Sequence, residues 1–199
     1  MANLAKTGFA GSVCAVGAII ALVLGSGNVR TNERGLELIG NAEQCRREPY
    51  ICPAGYPTDG VGNTHNVKPG TRKTDQQIAA DWEKNILSAE KCVNAYANGS
   101  KLSDNTFSAV TSITFNVGCG AMQKSTMFWQ LRQGHIADAC QQFSRWTYAG
   151  GKELPGLVKR RAEEKQLCLD GIKPAKPQKA DDGFGPLNPG TPPSAPGVF

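Results

Sequence analysis

From Thr7 to Val29 the chain carries no charge. The run is long enough to span the hydrocarbon core of a bilayer. Its apolar residues are Phe9, Val13, Val16, Ile19, Ile20, Leu22, Val23 and Leu24, but Gly8, Gly11, Gly17, Gly25 and Gly27 dilute them. Glycine and alanine add little transfer energy, so the segment suits a bilayer only weakly. Three readings compete. One is a signal peptide cleaved near Gly25-Ser26-Gly27. Another is a permanent anchor. The third, which the composition favours, is a marginal anchor that inserts and later leaves the bilayer. All three put the rest of the chain outside the cytoplasm.

Seven cysteines support that side of the membrane: Cys14, Cys45, Cys52, Cys92, Cys119, Cys140 and Cys168. So many in 199 residues point to an oxidising compartment. No CxxC is present and the two histidines, His65 and His135, lie far apart, so no zinc pattern and no metal site is expected. The count is odd, which leaves at least one thiol outside any set of intramolecular pairs. Among Cys92, Cys119, Cys140 and Cys168, three pairings are open, and a reduced state in the core is equally open. The formal net charge of +5 favours acidic partners such as an anionic wall polymer or membrane surface. Without a dense Lys/Arg block interleaved with aromatics, nucleic acid is not an expected partner.

Beyond the apolar run, Thr31 to Arg47 reads as a helix capped by Asn32, with Leu36 and Ile39 on one face and Glu43 near its end. Pro49, Pro53, Gly55, Pro57, Gly60, Gly62, Asn63 and Gly70 then break the chain into a small, irregular β-hairpin or meander. Thr74 and Gln77 make a capping box for a long amphipathic helix through Ile78, Trp82, Ile86, Ala89 and Val93. Further helices are expected from about 104 to 117, from Ser125 to near Gly134, from His135 to Trp146, and from Leu157 to Leu169. A turn at Gly150-Gly151 separates the last two. The division expected is an N-terminal membrane segment at 1–29, one catalytic domain at 30–172, and a Pro/Gly-rich tail at 173–199 too poor in apolar residues to fold.

Within this layout Glu43, Cys52 and Thr58 stand eight and then five residues apart. Glycoside hydrolysis needs an acid for the leaving oxygen and, in most enzymes, a second group opposite it. Glu43, beside a core face, suits the acid, because burial keeps a carboxyl protonated. Glu48 and Asp59 are rival carboxylates. Asp59 directly follows Thr58, so on an extended strand it points the other way.

The spacing resembles the Glu-x8-(Asp/Cys)-x5-Thr pattern of the phage-type lysozymes, glycoside hydrolase family 24, in its cysteine-bearing form. Arg46 and Tyr50 fall where that family often has Arg and Tyr. Downstream, Ser125-Thr126, Trp146, Ala149-Gly150-Gly151, Gly156-Leu157, Arg160-Arg161 and Glu164 resemble its C-terminal lobe. His65 departs from the pattern, since the family's histidine stands two places earlier. The resemblance implies an α+β lysozyme-like fold, with a small β-hairpin lobe and a helical C-terminal lobe. It implies a monomeric muramidase that cuts the N-acetylmuramic acid–N-acetylglucosamine linkage of peptidoglycan for host lysis. Glu43, Cys52 and Thr58 would be its catalytic residues, and it would need no cofactor. It also implies the signal-arrest-release subtype, held at the host inner membrane through residues 7–29 with its catalytic domain in the periplasm and released later. Cys14, Cys45 and Cys52 would then form a regulatory set: a Cys45–Cys52 bridge occupies Cys52 until Cys14, freed from the bilayer, exchanges with Cys45. Other classes fit less well: a lytic transglycosylase on the same polymer, a non-catalytic membrane-tethered wall-binding module, or a secreted disulfide-rich binding protein.

Overall fold

The computed structural model describes residues 13–43, 45–52 and 55–172. In it the described part of the apolar run, from Val13 on, packs one face against protein and leaves Val13, Leu22 and Leu24 exposed. Helix α1 (Val16–Ser26) places Ile19, Ile20 and Val23 in a core with Leu36 and Ile39 of α2 (Glu33–Ala42) and Ile78, Trp82 and Ile86 of α3 (Asp75–Tyr96). At 1.5 Å per residue α1 is about 16 Å long, roughly half a bilayer core. Among the described residues no helix is long and apolar enough to cross a membrane. The expected tail at 173–199 and the first twelve residues lie outside the described residues.

Small residues let α1 and α2 approach closely. A Cβ at Gly40 would lie 2.6 Å from Cγ1 of Val16 and 3.3 Å from the Trp82 ring. The linker between the two helices is tied down by polar contacts. Asn28 donates to Glu83 at 2.9 Å, and Thr31 donates to the buried Glu90 through both its amide and its hydroxyl, at 2.6 and 2.7 Å. Arg30 lies over the Phe107 ring and donates to the carbonyls of Gly99 and Leu102. Asn32 caps α2 by accepting from the Gly35 amide at 3.0 Å.

The helix expected to run to Arg47 ends instead at Ala42, and Cys45 to Arg47 are strand. Two ties hold this backbone extended. Cys45 is disulfide-bonded to Cys14, and the Cys14 amide donates to the Cys45 carbonyl at 3.2 Å while Val13 bridges to Arg46. Strand β1 (Cys45–Ile51) pairs antiparallel with β2 (Pro57–Val61) in a hairpin that is irregular between Arg46 and Tyr50.

Helix α3, with its Thr74–Gln77 capping box, leads into the helical lobe. There α4 (Asp104–Val117) is buried along its whole middle, Thr106 to Thr114, and packs on α8 (Pro155–Asp170). Gly118, at φ +89, ends α4 and starts a short helix α5 (Cys119–Gln123) that the sequence pattern did not single out. Then come α6 (Thr126–Gln133) and α7 (Ile136–Gln141). The expected helix from His135 to Trp146 is shorter, because its last turn tightens to 3₁₀ at Gln142–Arg145. A two-residue hairpin, β3 (Tyr148–Ala149) and β4 (Lys152–Glu153), turns through Gly150 and Gly151, both at positive φ. Disulfides Cys92–Cys119 and Cys140–Cys168 bind this lobe to itself. The result is the α+β lysozyme-like architecture, a small sheet lobe beside a helical one.

Candidate active site

A cleft of about 780 Å³ opens between the hairpin and α4. Glu43 sits on its wall as the C-cap of α2, with 27 % of its side-chain surface open. Cys52, Thr58, Arg46, Tyr50, Gly62 and, from α4, Phe115 and Asn116 line the same cleft. The three residues singled out by spacing therefore share one cavity.

Each is held by its own element. Thr58, in β2, is buried, and its hydroxyl donates to the Tyr56 carbonyl at 3.0 Å. That leaves the oxygen lone pairs to accept from a molecule in the cleft. Cys52 follows β1, and a turn closes around it: its amide donates to the Tyr56 carbonyl at 3.0 Å, and its carbonyl accepts from Gly55 at 2.8 Å. Cys52 lies outside the three disulfides, since Cys45 is bonded to Cys14. Arg46 stacks over the Tyr50 ring at 4.5 Å on the lip of the cleft.

Burial raises the Glu43 pKa, and the nearby Arg160 guanidinium works against that rise. Nη1 of Arg160 lies 3.8 Å from Glu43 Oε1, beyond direct hydrogen-bond range. Arg160 is itself committed to a buried network, with its Nε donating to Glu164 Oε1 at 3.1 Å. Glu164 also accepts from Ser112 and from Arg161, and Arg161 reaches Asn116. Two arginines thus share one fully buried carboxylate, and the residual positive charge faces Glu43. Burial, followed by the charge of Glu43, also raises the Tyr50 pKa.

The rival carboxylates are elsewhere. Asp59 is fully buried away from the cleft, where the Lys73 ammonium lies 2.7 Å from it and Asn63 donates to it at 2.8 Å. Burial opposes the charge on Lys73, but hydrogen bonds to Asp59 and Asp81 prevail and its pKa is raised. Glu48 pairs with Arg72 at 2.5 Å on the surface. His65 is exposed and does not line the cleft. Among the described residues no cluster of His, Cys, Asp or Glu is arranged to hold a metal.

Three lining residues, Phe115, Asn116 and Gly62, were not assigned to the site from sequence. Asn116 and Phe115 belong to the second lobe, and no short-range spacing links them to Glu43. Gly62 reads in sequence as turn punctuation, yet it stands against the Glu43 carboxyl.

Comparisons with known proteins agree with this arrangement. Residues 40–164 match the phage lysozyme family. The chain is 50% identical over 173 residues to the SAR-endolysin of Escherichia phage P1, covering 81% of this chain and 94% of that protein. It superposes on the crystal structure of the active form of the P1 phage endolysin Lyz with a TM-score of 0.79 at 48% identity, covering 83% of this chain and 99% of that one. On the secreted inactive form of the same endolysin the TM-score is 0.52 at 46% identity, covering 73% and 99%. The chain belongs to the phage lysozyme family and is a glycoside hydrolase of the lysozyme type.

Proposed function

We propose that the chain is an endolysin that hydrolyses the β-1,4 bond between N-acetylmuramic acid and N-acetylglucosamine in peptidoglycan, with Glu43, Cys52 and Thr58 as its catalytic residues. The observation that carries this reading is the cleft itself. It brings a partly buried carboxyl of raised pKa into one cavity with a thiol and a hydroxyl whose proton is already engaged. Glu43 gives its proton to the glycosidic oxygen as the bond to the anomeric carbon breaks. A water held by Thr58 Oγ1 attacks that carbon from the opposite face and passes its proton towards Cys52. The product is a reducing end of inverted configuration. Peptidoglycan is anionic, and a basic chain suits it.

Control resides at Cys52. In the waiting form, residues 7–29 lie in the host inner membrane and Cys45 is bonded to Cys52. Once the segment leaves the bilayer, the Cys14 thiolate attacks the Cys45 sulfur and Cys52 departs as a thiolate. One disulfide is broken and one formed, so no external oxidant or reductant is consumed. The Cys14–Cys45 bond, the packing of Ile19, Ile20 and Val23 of α1 into the core and the closer likeness to the active form of the P1 phage endolysin than to its secreted inactive form all support this reading of the released state. The test of the catalytic assignment is product analysis on purified peptidoglycan. Reducing ends that disappear in Glu43→Gln are expected. Anhydro-sugar ends would instead identify a lytic transglycosylase, and lysis by Glu43→Gln would identify a non-catalytic binder.

A further inference from the structure

Val61, Gly62 and Asn63 lie at the end of a turn that folds β2 back on itself. Asp59 and Asn63 exchange both backbone hydrogen bonds, each at 2.9 Å, across Gly60, Val61 and Gly62. Side chains brace the same turn. Asn63 donates to the Asp59 carboxylate and to the His65 carbonyl, and Lys73 bridges Asp59 to Asp81. The turn is therefore fixed from below, and at its edge Gly62 has φ +66.

What Gly62 faces is the catalytic carboxyl. A Cβ built there would lie 2.8 Å from Glu43 Oε2, 3.1 Å from Cδ and 3.3 Å from Cγ. At the other oxygen of the same carboxyl, Nη1 of Arg160 lies 3.8 Å from Oε1. We infer that Gly62 is a positioning residue for the acid: its bare Cα forms one wall of the slot in which the Glu43 carboxyl is held, with Arg160 as the second wall. The inference rests on Glu43 being the acid. It assigns a task to the buried Asp59–Lys73–Asn63 cluster as well, which is to keep that wall from moving.

A methyl group at 62 has the floppy end of a side chain to push against, so Glu43 gives way before the turn does. Because Gly62 stands against Oε2 while Arg160 lies nearer Oε1, the push drives the carboxyl towards Arg160. The proton is then held less tightly and the acid leaves its reactive position. Misplacing a catalytic group by about 1 Å costs on the order of a hundredfold in rate.

The experiment compares Gly62→Ala with Gly70→Ala. Gly70 is also at positive φ, +73, but a Cβ there meets nothing within 4 Å, so it reports backbone strain alone. On soluble peptidoglycan fragments, Gly62→Ala is expected to lower kcat at least about tenfold with KM within about twofold. The basic limb of its kcat–pH profile is expected to move to lower pH. Gly70→Ala should leave both kcat and that limb in place. An unmoved limb or an unchanged kcat in Gly62→Ala overturns the inference, provided Glu43→Gln is inactive. If Glu43→Gln is active, it is the underlying catalytic assignment that fails. Should Gly62→Ala fail to fold, the double variant Gly62→Ala/Glu43→Ala decides. Recovery of folding supports a contact specific to Glu43, and failure of the double variant as well shows that the glycine serves the turn alone and overturns the inference.

Discussion

Burial raises the Glu43 pKa, and the Arg160 guanidinium 3.8 Å away restrains the rise. An acid must be protonated to act, so activity should fall on the basic side as pH passes through the raised value. Stability carries the same mark of this shift, in the same direction. The folded protein holds the Glu43 proton more tightly than the unfolded chain does. Stability is therefore lost as pH climbs from the ordinary glutamate range through the folded value. Glu43→Gln removes that loss. It should lower activity by about a thousandfold and raise Tm at neutral pH, a pairing that activity assays and calorimetry check together. Lys73→Met tests the buried turn. Lys73 is the ammonium on the fully buried Asp59, and removing one partner of a buried ion pair costs about 3 kcal/mol, read as a fall in the urea midpoint. The spacing of Glu43, Cys52 and Thr58 was legible in sequence, and so was the turning away of Asp59, because strand side chains alternate. Gly62 was not legible as a site residue. A glycine carries no side-chain signal, and only the path of the folded chain brings it to Glu43.

At the scale of elements, the helices were readable where local chemistry decides them. Asn32, Thr74, Ser103 and Ser125 each cap the helix that follows. Readings failed where long-range ties override local preference. Cys45 to Arg47 look helical by pattern, but the bond from Cys45 to Cys14 and the bridge from Arg46 to Val13 make them strand. The destination of α1 was likewise not written in its own composition. An apolar, glycine-diluted helix suits a protein core as well as a marginal stay in lipid, and only the socket on α2 and α3 shows that it fits the former. Gly40 is the floor of that socket, under Val16. Gly40→Ala should destabilise the folded protein by about 1–3 kcal/mol through overpacking, and adding Val16→Ala should recover part of the loss. A double-mutant cycle in thermal unfolding measures this coupling, and additive effects would show that Val16 does not occupy the socket.

For the whole molecule, the control proposed above makes the N-terminal segment the link between where the enzyme is and whether it works. Its helix completes the core of the hairpin lobe, its linker is held by Glu83, Glu90 and Phe107, and its Cys14 engages Cys45 so that Cys52 faces the cleft outside any disulfide. Withdrawing that segment into a bilayer would remove the helix and the thiol together, so location and activity change in one step. The most direct test is disulfide mapping by mass spectrometry of the membrane-bound and the released protein, trapped with alkylating agent. The account predicts Cys45–Cys52 in the bound form and Cys14–Cys45 with alkylated Cys52 in the released form. The same Cys14–Cys45 bridge in both forms, or a Cys45–Cys52 bridge in released and fully active enzyme, would contradict it.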